Sequence, residues 1–268
     1  SPYTGRVIVT PMTGLEIIDY CEQLGLLQRQ PHPLGDVLCL TPEHAVLLTY
    51  ARNNILHLFA VPALIACLLT QNPELSRSQL ATLLRTLYPF LRGELFLRWR
   101  DDELPGVIDG QLASLAALGW IRPSGGDDGW AAPAANSDAS AQLTPLGQAA
   151  RPTLLRHFIT LALLSQRGSG AMTPTELETL CQLMAQRLSL LSEFSAPEFF
   201  DRSIFHAFIA TLGQCGLAEQ AADGRLVFGA ALEAAVADAR FALPPDVRQT
   251  ILQWTRSGAE AATAAQSK

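Results

Sequence analysis

The side chains best placed to do chemistry fall in two short blocks. Arg52, Asn53 and Asn54, with His57 one helical turn further on, sit inside a long apolar run. A guanidinium and two amides incur a desolvation cost there unless they are paired. Glu94, Arg98, Arg100, Asp101, Asp102 and Glu103 form a mixed-charge patch around Phe96 and Trp99. Glu94 and Arg98 stand four apart, the spacing of a helical ion pair. Asp102 or Glu103 is placed to cap a helix that carries Pro105 in its first turn. Both blocks read as buried polar knots that hold helices together. Arg52, Asn53, Asn54, Glu94, Arg98, Arg100, Asp102 and Glu103 are therefore the candidate interdomain or partner contacts. A phosphate site at Arg98 or Arg100 is the sharper alternative.

No residue set supports a catalytic, cofactor-binding or metal assignment. Cys21, His32, Cys39 and His44 are the nearest approach to a metal set. Zinc sites favour close ligand pairs, which these four lack. No Gly-x-Ser-x-Gly elbow, phosphate-binding Gly-rich loop or dinucleotide turn occurs. The five cysteines are far apart and mostly embedded in apolar runs, the pattern of buried free thiols in a reducing compartment. A net charge of −6 argues against nucleic acid as a partner, since phosphate contacts need clustered cations.

The elements that must carry these blocks are mostly helices. Thr13-x-x-Glu16, Ser76-x-x-Gln79, Thr173-x-x-Glu176 and Ser195-x-x-Glu198 are capping boxes. Pro42, Pro145 and Pro174 each follow a threonine, where a first helical residue tolerates a missing N–H. Apolar stripes such as Leu80/Leu84/Leu87/Leu91 follow these starts, and about seven to nine helices are expected. A second pattern recurs three times: a helix ends at a glycine, and an extended stretch, a polar turn and another extended stretch follow. The copies centre on Gly25, Gly119 and Gly216. The expected fold is mainly α: a helical bundle with small β-hairpins in winged-helix-like units and no large sheet. The recognition positions of those units lack a cationic face, so protein packing is favoured over DNA binding.

Residues 1–12 read as a connection from an upstream domain, and 13–121 and 143–258 as the helical units. Residues 122–142 read as a loop or mobile wing and 259–268 as a disordered tail. The apolar run Ile55–Leu69 falls short of the roughly 18 uninterrupted residues of a membrane span. Only 16% of residues are charged, against roughly 25% in a typical soluble domain. Surface covered by another domain, a partner or a lipid headgroup layer would explain that. The bland alternative is an arginine-biased composition, since Lys268 is the only lysine. The chain begins at Ser1 and reads as a piece of a longer protein.

Three blocks carry a resemblance: YARNNILHLFAVPALIACLL at 50–69, YPFLRGELFLRWRDDELPGVID at 88–109, and 185–191 with APEFFD at 196–201. They resemble the C-terminal portion of the bacterial membrane-bound glycerol-3-phosphate 1-O-acyltransferases. The resemblance implies a parent enzyme that moves an acyl group from acyl carrier protein or coenzyme A to the sn-1 hydroxyl of glycerol 3-phosphate. It also implies a place on the cytoplasmic face of the inner membrane, and the catalytic domain of the same polypeptide as partner. Acyl carrier protein and the membrane surface are further candidate partners. The family's catalytic signature is a His followed five positions later by an Asp, the His serving as general base. His32, His44, His57, His157 and His206 are followed at that distance by Val37, Thr49, Pro62, Ala162 and Thr211. No catalytic residue is therefore carried over, and the chain alone is expected to be inactive.

Overall fold

The computed structural model describes residues 11–95, 97–124, 128–191 and 197–266, with backbone alone for 191, 197–198 and 256–266. The boxed start expected at Ser195 lies outside these residues. Nine α-helices and three small antiparallel sheets account for the regular structure among them. The chain divides into two compact units, one ending at Ile55 and the other beginning at Leu56.

In the first unit, helix α1 (Gly14–Gln23) starts at the Thr13 capping box, where Glu16 Oε2 accepts from the Thr13 amide at 2.6 Å. Strands β1 (Gln28–Gln30) and β2 (Val37–Cys39) pair with Gln28 opposite Cys39. Arg29 on β1 clamps the hairpin to α1, reaching Glu22 at 2.7 Å and Asp19 at 3.3 Å. Helix α2 (Pro42–Gln71) begins at the proline expected for its first position. It is the one described helix long and apolar enough to cross a bilayer, and 56% of its most apolar window is buried in the fold.

The second unit starts with the buried half of α2, where Leu64, Ile65, Ala66 and Leu68 lose all exposure. Strand β3 (Leu75–Ser76) leads into α3 (Arg77–Glu94) through the Ser76/Gln79 capping box. Helix α4 (Leu104–Ala117), β4 (Arg122–Ser124) and β5 (Gly129–Ala131) follow, and β5 lies between β3 and β4. Helix α5 (Asp138–Arg167) is the long axis of the core. Then come α6 (Pro174–Leu191), a 3-10 turn at Pro197–Phe200, α7 (Arg202–Gln214), β6 (Ala218–Gln220) and β7 (Leu226–Phe228). Helices α8 (Ala230–Ala239) and α9 (Pro245–Gln266) end the described chain. Tyr88, Phe90, Phe158, Phe199 and Phe205 fill the interior.

Each of the three expected hairpins forms behind a glycine held in the left-handed region: Gly25 at φ 70, Gly119 at 71 and Gly216 at 67. A side chain there would meet the following carbonyl, so glycine is the residue that fits. The closing bond is the same each time. The amides of Leu26, Trp120 and Leu217 donate to the carbonyls of Cys21, Leu115 and Leu212 at 2.9 Å.

The last two copies match more deeply. At one constant offset Leu75 corresponds to Met172, Ser76 to Thr173, α3 to α6, Gly119 to Gly216, and β5 to β7. Met172 even accepts from the Leu226 amide at 2.8 Å, so residues 170–172 run beside β7 as β3 runs beside β5. The order in each copy is helix, short strand, helix, helix, hairpin, which is the winged-helix order: α2–β3–α3–α4–β4–β5, then α5–(170–172)–α6–α7–β6–β7.

Residues 122–142, expected as a loop or mobile wing, carry the paired strands β4 and β5 in their first half, and α5 begins at Asp138. Two local expectations are corrected. Pro145 consequently lies inside α5, not at its first position. The backbone of 259–266, expected as a disordered tail, continues α9.

Candidate functional site

Glu94 is the last residue of α3, and α5 carries Thr153, Arg156 and His157 against it. Arg156 pairs with Glu94 through Nη2 and Oε1, and Thr153 Oγ1 donates to the same oxygen at 3.2 Å. Arg156 is 4% exposed and His157 1%. His157 Nε2 lies 3.4 Å from Glu94 Oε2, and neither ring nitrogen has a hydrogen-bond partner of good geometry. The ring stacks on Phe208 at 4.0 Å and meets Phe90 edge-on.

Burial by itself would raise the Glu94 carboxyl; the facing imidazole and the Arg156 guanidinium outweigh it and hold the group at about 2. Complete burial pushes the His157 imidazole below its ordinary value, against the pull of the carboxylate. At neutral pH the cluster is thus a carboxylate, a guanidinium and a neutral imidazole.

A carboxylate beside an imidazole is the arrangement of a general base. Here the pair faces a pocket of about 10 Å³ lined by Gly93, Ile204, Ala207, Phe208 and Thr211. That is room for one water and not for a substrate. The site joins α3, α5 and α7, and its chemistry as folded is charge pairing. Sequence reasoning weighed each histidine against its near neighbours and so missed His157, whose partner is far away along the chain. The one available signal was an Arg-His pair inside an otherwise apolar helix.

The other named residues are placed differently. Helix α3 ends at Glu94 and Leu95 is extended, so the expected helical pair of Glu94 with Arg98 does not form. Arg98 lies over the Trp99 ring at 4.5 Å. Arg100, Asp102 and Glu103 are exposed: Arg100 reaches Asp102 at 3.3 Å, and its amide donates to Glu103 Oε2 at 2.9 Å. Glu103 stands at the start of α4 with Pro105 in the first turn, but its side chain does not cap the helix. Tyr88 ties this segment down, its hydroxyl lying 3.1 Å from the Trp99 amide and 3.2 Å from the Trp99 carbonyl. Arg52, Asn53 and Asn54, expected to be buried, are exposed on α2, with Arg52 donating to Asn53 Oδ1 at 3.0 Å. Residue 96 lies outside the described residues.

A second cluster was not expected. Glu178 on α6, almost fully buried, accepts from Arg202 at 3.0 Å and pairs with His206 Nδ1 at 2.7 Å, both on α7. Burial raises its carboxyl, and the bonds from His206 and Arg202 bring it below the usual range. Among the described residues no group of three His, Cys, Asp or Glu side chains could hold a metal.

The family described as the glycerol-3-phosphate acyltransferase C-terminal region matches residues 2–221. A glycerol-3-phosphate acyltransferase of Pseudomonas paraeruginosa is 42% identical over 253 residues, covering 94% of this chain and 30% of that protein. One from Xanthomonas campestris is 40% identical over 252 residues, 93% of this chain and 28% of the relative. One from Xylella fastidiosa is 38% identical over 252 residues, 93% and 29% respectively. The chain therefore spans about 30% of the length of the curated relatives it matches.

Proposed function

Because the chain belongs to the family of glycerol-3-phosphate acyltransferase C-terminal regions, we propose that it is the non-catalytic part of a glycerol-3-phosphate 1-O-acyltransferase and supports the catalytic part of the same polypeptide by packing. The reaction of that parent is acyl transfer from acyl carrier protein or coenzyme A to glycerol 3-phosphate, giving lysophosphatidic acid for phospholipid synthesis at the cytoplasmic face of the inner membrane. One observation carries the supporting role. Across residues 11–55, Leu15, Tyr20, Leu24, Leu34, Val46 and Tyr50 are at least half exposed, and α1 buries no residue at all. An apolar surface of that extent marks an interaction face. The exposed Arg52, Asn53 and Asn54 lie on the same unit and supply polar contacts beside it.

The burial of His157, facing a pocket with room for one water, supports the non-catalytic half of this reading, since a general base must reach the hydroxyl it activates. A second reading treats the chain as an interaction module for acyl carrier protein, another protein or the membrane surface. The apolar α2 helix, with Ile55 and Phe59 exposed one turn apart, favours it.

Expression of the remaining polypeptide with and without this chain in trans tests the proposal. Acylation of glycerol 3-phosphate is expected when both parts are present, and neither from the chain alone nor from the remainder alone. Acylation by the isolated chain would overturn the non-catalytic role, and full activity of the remainder alone would overturn the supporting role. Vesicle flotation or acyl-carrier-protein capture of the chain would move the reading to an interaction module.

A further inference from the structure

The hairpin behind Gly25 lacks the first half of its repeat. In the two complete copies a first helix, a short strand and a second helix precede the third helix and its hairpin. The first helix starts far ahead of the glycine: Pro42 to Gly119 is 77 residues, and Asp138 to Gly216 is 78. Only residues 1–24 stand ahead of Gly25, and the one described element among them is α1, a third helix.

Helices α1, α4 and α7 end in register, at Gln23, Ala117 and Gln214, each two residues before its glycine. Ile18 therefore corresponds to Leu112 and Ile209, Cys21 to Leu115 and Leu212, and Leu27 to Ile121 and Ala218. All six counterparts are at most 7% exposed. Helix α4 packs on α3, and α7 on α6, the second helix of each repeat. In the first copy Ile18, Cys21 and Leu27 are only half-buried, and Tyr20 beside them is 50% exposed. The first half of α2 shows the same loss. Its counterpart in α5 buries Leu143, Gly147 and Ala150. At Gly147 that helix comes so close to α2 that a Cβ would lie 2.9 Å from the Cys67 amide nitrogen. The first helix of one copy thus rests on the first helix of the copy before it. The offset between those copies carries the three buried residues to Val46, Tyr50 and Asn53 of α2. All three are exposed, Val46 at 60% and Tyr50 at 67%.

We propose that the polypeptide ahead of this chain ends in the missing half-repeat: a helix, a short strand and a second helix over about 50 residues. Its second helix covers Ile18, Cys21 and Leu27, and its first helix crosses α2 at Val46 and Tyr50. Chain order and length name this occupant. The half-repeat must precede α1, the matching family is a C-terminal region, and about 70% of a relative's length lies outside the matched chain. Both uncovered faces belong to the first unit, and one missing segment accounts for both. The inference rests on the packing role proposed above and names the segment and the faces through which it acts.

A photoreactive phenylalanine analogue at Tyr50 of the full-length polypeptide tests it, since that exposed position carries a bulky label without disturbing the fold of this chain. Cross-links are expected within about 50 residues directly ahead of Ser1. The same label at Gln23, whose counterparts Ala117 and Gln214 are exposed, should give none there. In hydrogen exchange, amides of α1 are expected to exchange at least ~10-fold more slowly in the full-length protein than in the chain alone. Ile18→Asp should abolish that difference. Cross-links from Tyr50 to a more distant part of the polypeptide, to a second copy or to lipid overturn the inference. So do equal cross-linking from Gln23 and equal α1 exchange in both proteins. The trans-expression experiment judges the packing role separately. If activity depends on the chain but Tyr50 cross-links elsewhere, only the completed repeat is wrong. If the cross-links fall as expected and the remainder alone is fully active, the repeat stands and the supporting role is wrong.

Discussion

Removing the Glu94 carboxylate should be among the most damaging single changes in this chain. Glu94→Ala leaves the Arg156 guanidinium, 4% exposed, without its partner in the interior. Breaking a buried pair in this way costs about 3–5 kcal/mol, whereas the same pair at a surface is worth under about 1 kcal/mol. An independent route gives a similar figure: a carboxyl held at about 2 instead of 4.5 corresponds to about 3 kcal/mol at neutral pH. The Thr153 bond, worth about 1 kcal/mol, is already contained in that figure. A loss of that size corresponds to a fall in melting temperature on the order of 10 °C for a chain of this size. Urea denaturation followed by circular dichroism at neutral pH measures it. Glu94→Leu combined with Arg156→Met should recover most of the loss, because burying neither charge removes the penalty. If Glu94→Ala costs less than about 1 kcal/mol, or if the Arg156 change adds to it, the cluster does not hold α3 to α5.

Acid should weaken the same site in two steps. The folded chain refuses a proton at His157 that the unfolded chain accepts, so stability falls as pH drops below about 6.5. The Glu94 contribution is intact above about 4.5 and disappears as pH falls toward about 2. His157→Phe should remove the first step and shrink the second, since the imidazole helps hold the Glu94 carboxyl down, read as the urea midpoint against pH; an unchanged slope near pH 6 in that variant refutes the assignment. Gly93→Ala should destabilise by about 1–3 kcal/mol through its clash with Thr211, and Thr211→Ala should relieve it in the double variant, measured by a double-mutant cycle. Gly119→Ala, at φ 71, should cost about 1–2 kcal/mol, whereas Gly106→Ala inside α4, with open space around it, should gain about 0.5–1 kcal/mol; melting temperatures of opposite sign check the pair. Burial pushes the thiols of Cys67 and Cys181 up to about 12, so native labelling by a thiol reagent should reach the exposed Cys215 first and spare those two until unfolding.

What could be read from the sequence was local. Threonine or serine three residues ahead of Glu or Gln marked the starts of α1, α3 and α6, because the cap bonds are made within one turn. Leu-Gly-Leu, Leu-Gly-Trp and Cys-Gly-Leu marked the three hairpins, because a left-handed residue after a helix selects glycine whatever the tertiary setting. Pro145 misled for a related reason: the first-turn preference is a statistical tendency, and the buried packing of α5 overrides it. The candidate site was harder. Glu94 was found but paired with the wrong arginine, since helical spacing proposed Arg98 while the end of α3 handed Glu94 to Arg156. Asn53 and Asn54 looked costly because their neighbours are apolar. The exposed part of α2 carries those neighbours as well, so apolar sequence did not mean burial there.

The charge pairs divide into two kinds, and the division says what each is for. Arg77 with Asp109, and Glu178 with Arg202 and His206, both tie the second helix of a repeat to its third. His206 stands at the position of Asp109, but the partners differ, since the counterpart of Arg77 is Pro174 and that of Glu178 is Ala81. The Glu94 cluster has no such counterpart. The equivalents of Glu94, Arg156 and His157 in the other repeat are Leu191, Phe59 and Ala60, an apolar set. The cluster therefore belongs to the junction between repeats. Apolar side chains could fill that junction with equal or greater stability. What they could not do is reject a slipped alignment, because a displaced Glu94 would leave Arg156 buried and unpaired. The Glu94→Leu/Arg156→Met variant then has a second readout. If the charges fix the alignment of the two repeats, it should keep its unfolding midpoint but lose steepness in the transition, as misaligned forms become populated. A transition as steep as that of the native chain would mean that shape alone sets the alignment.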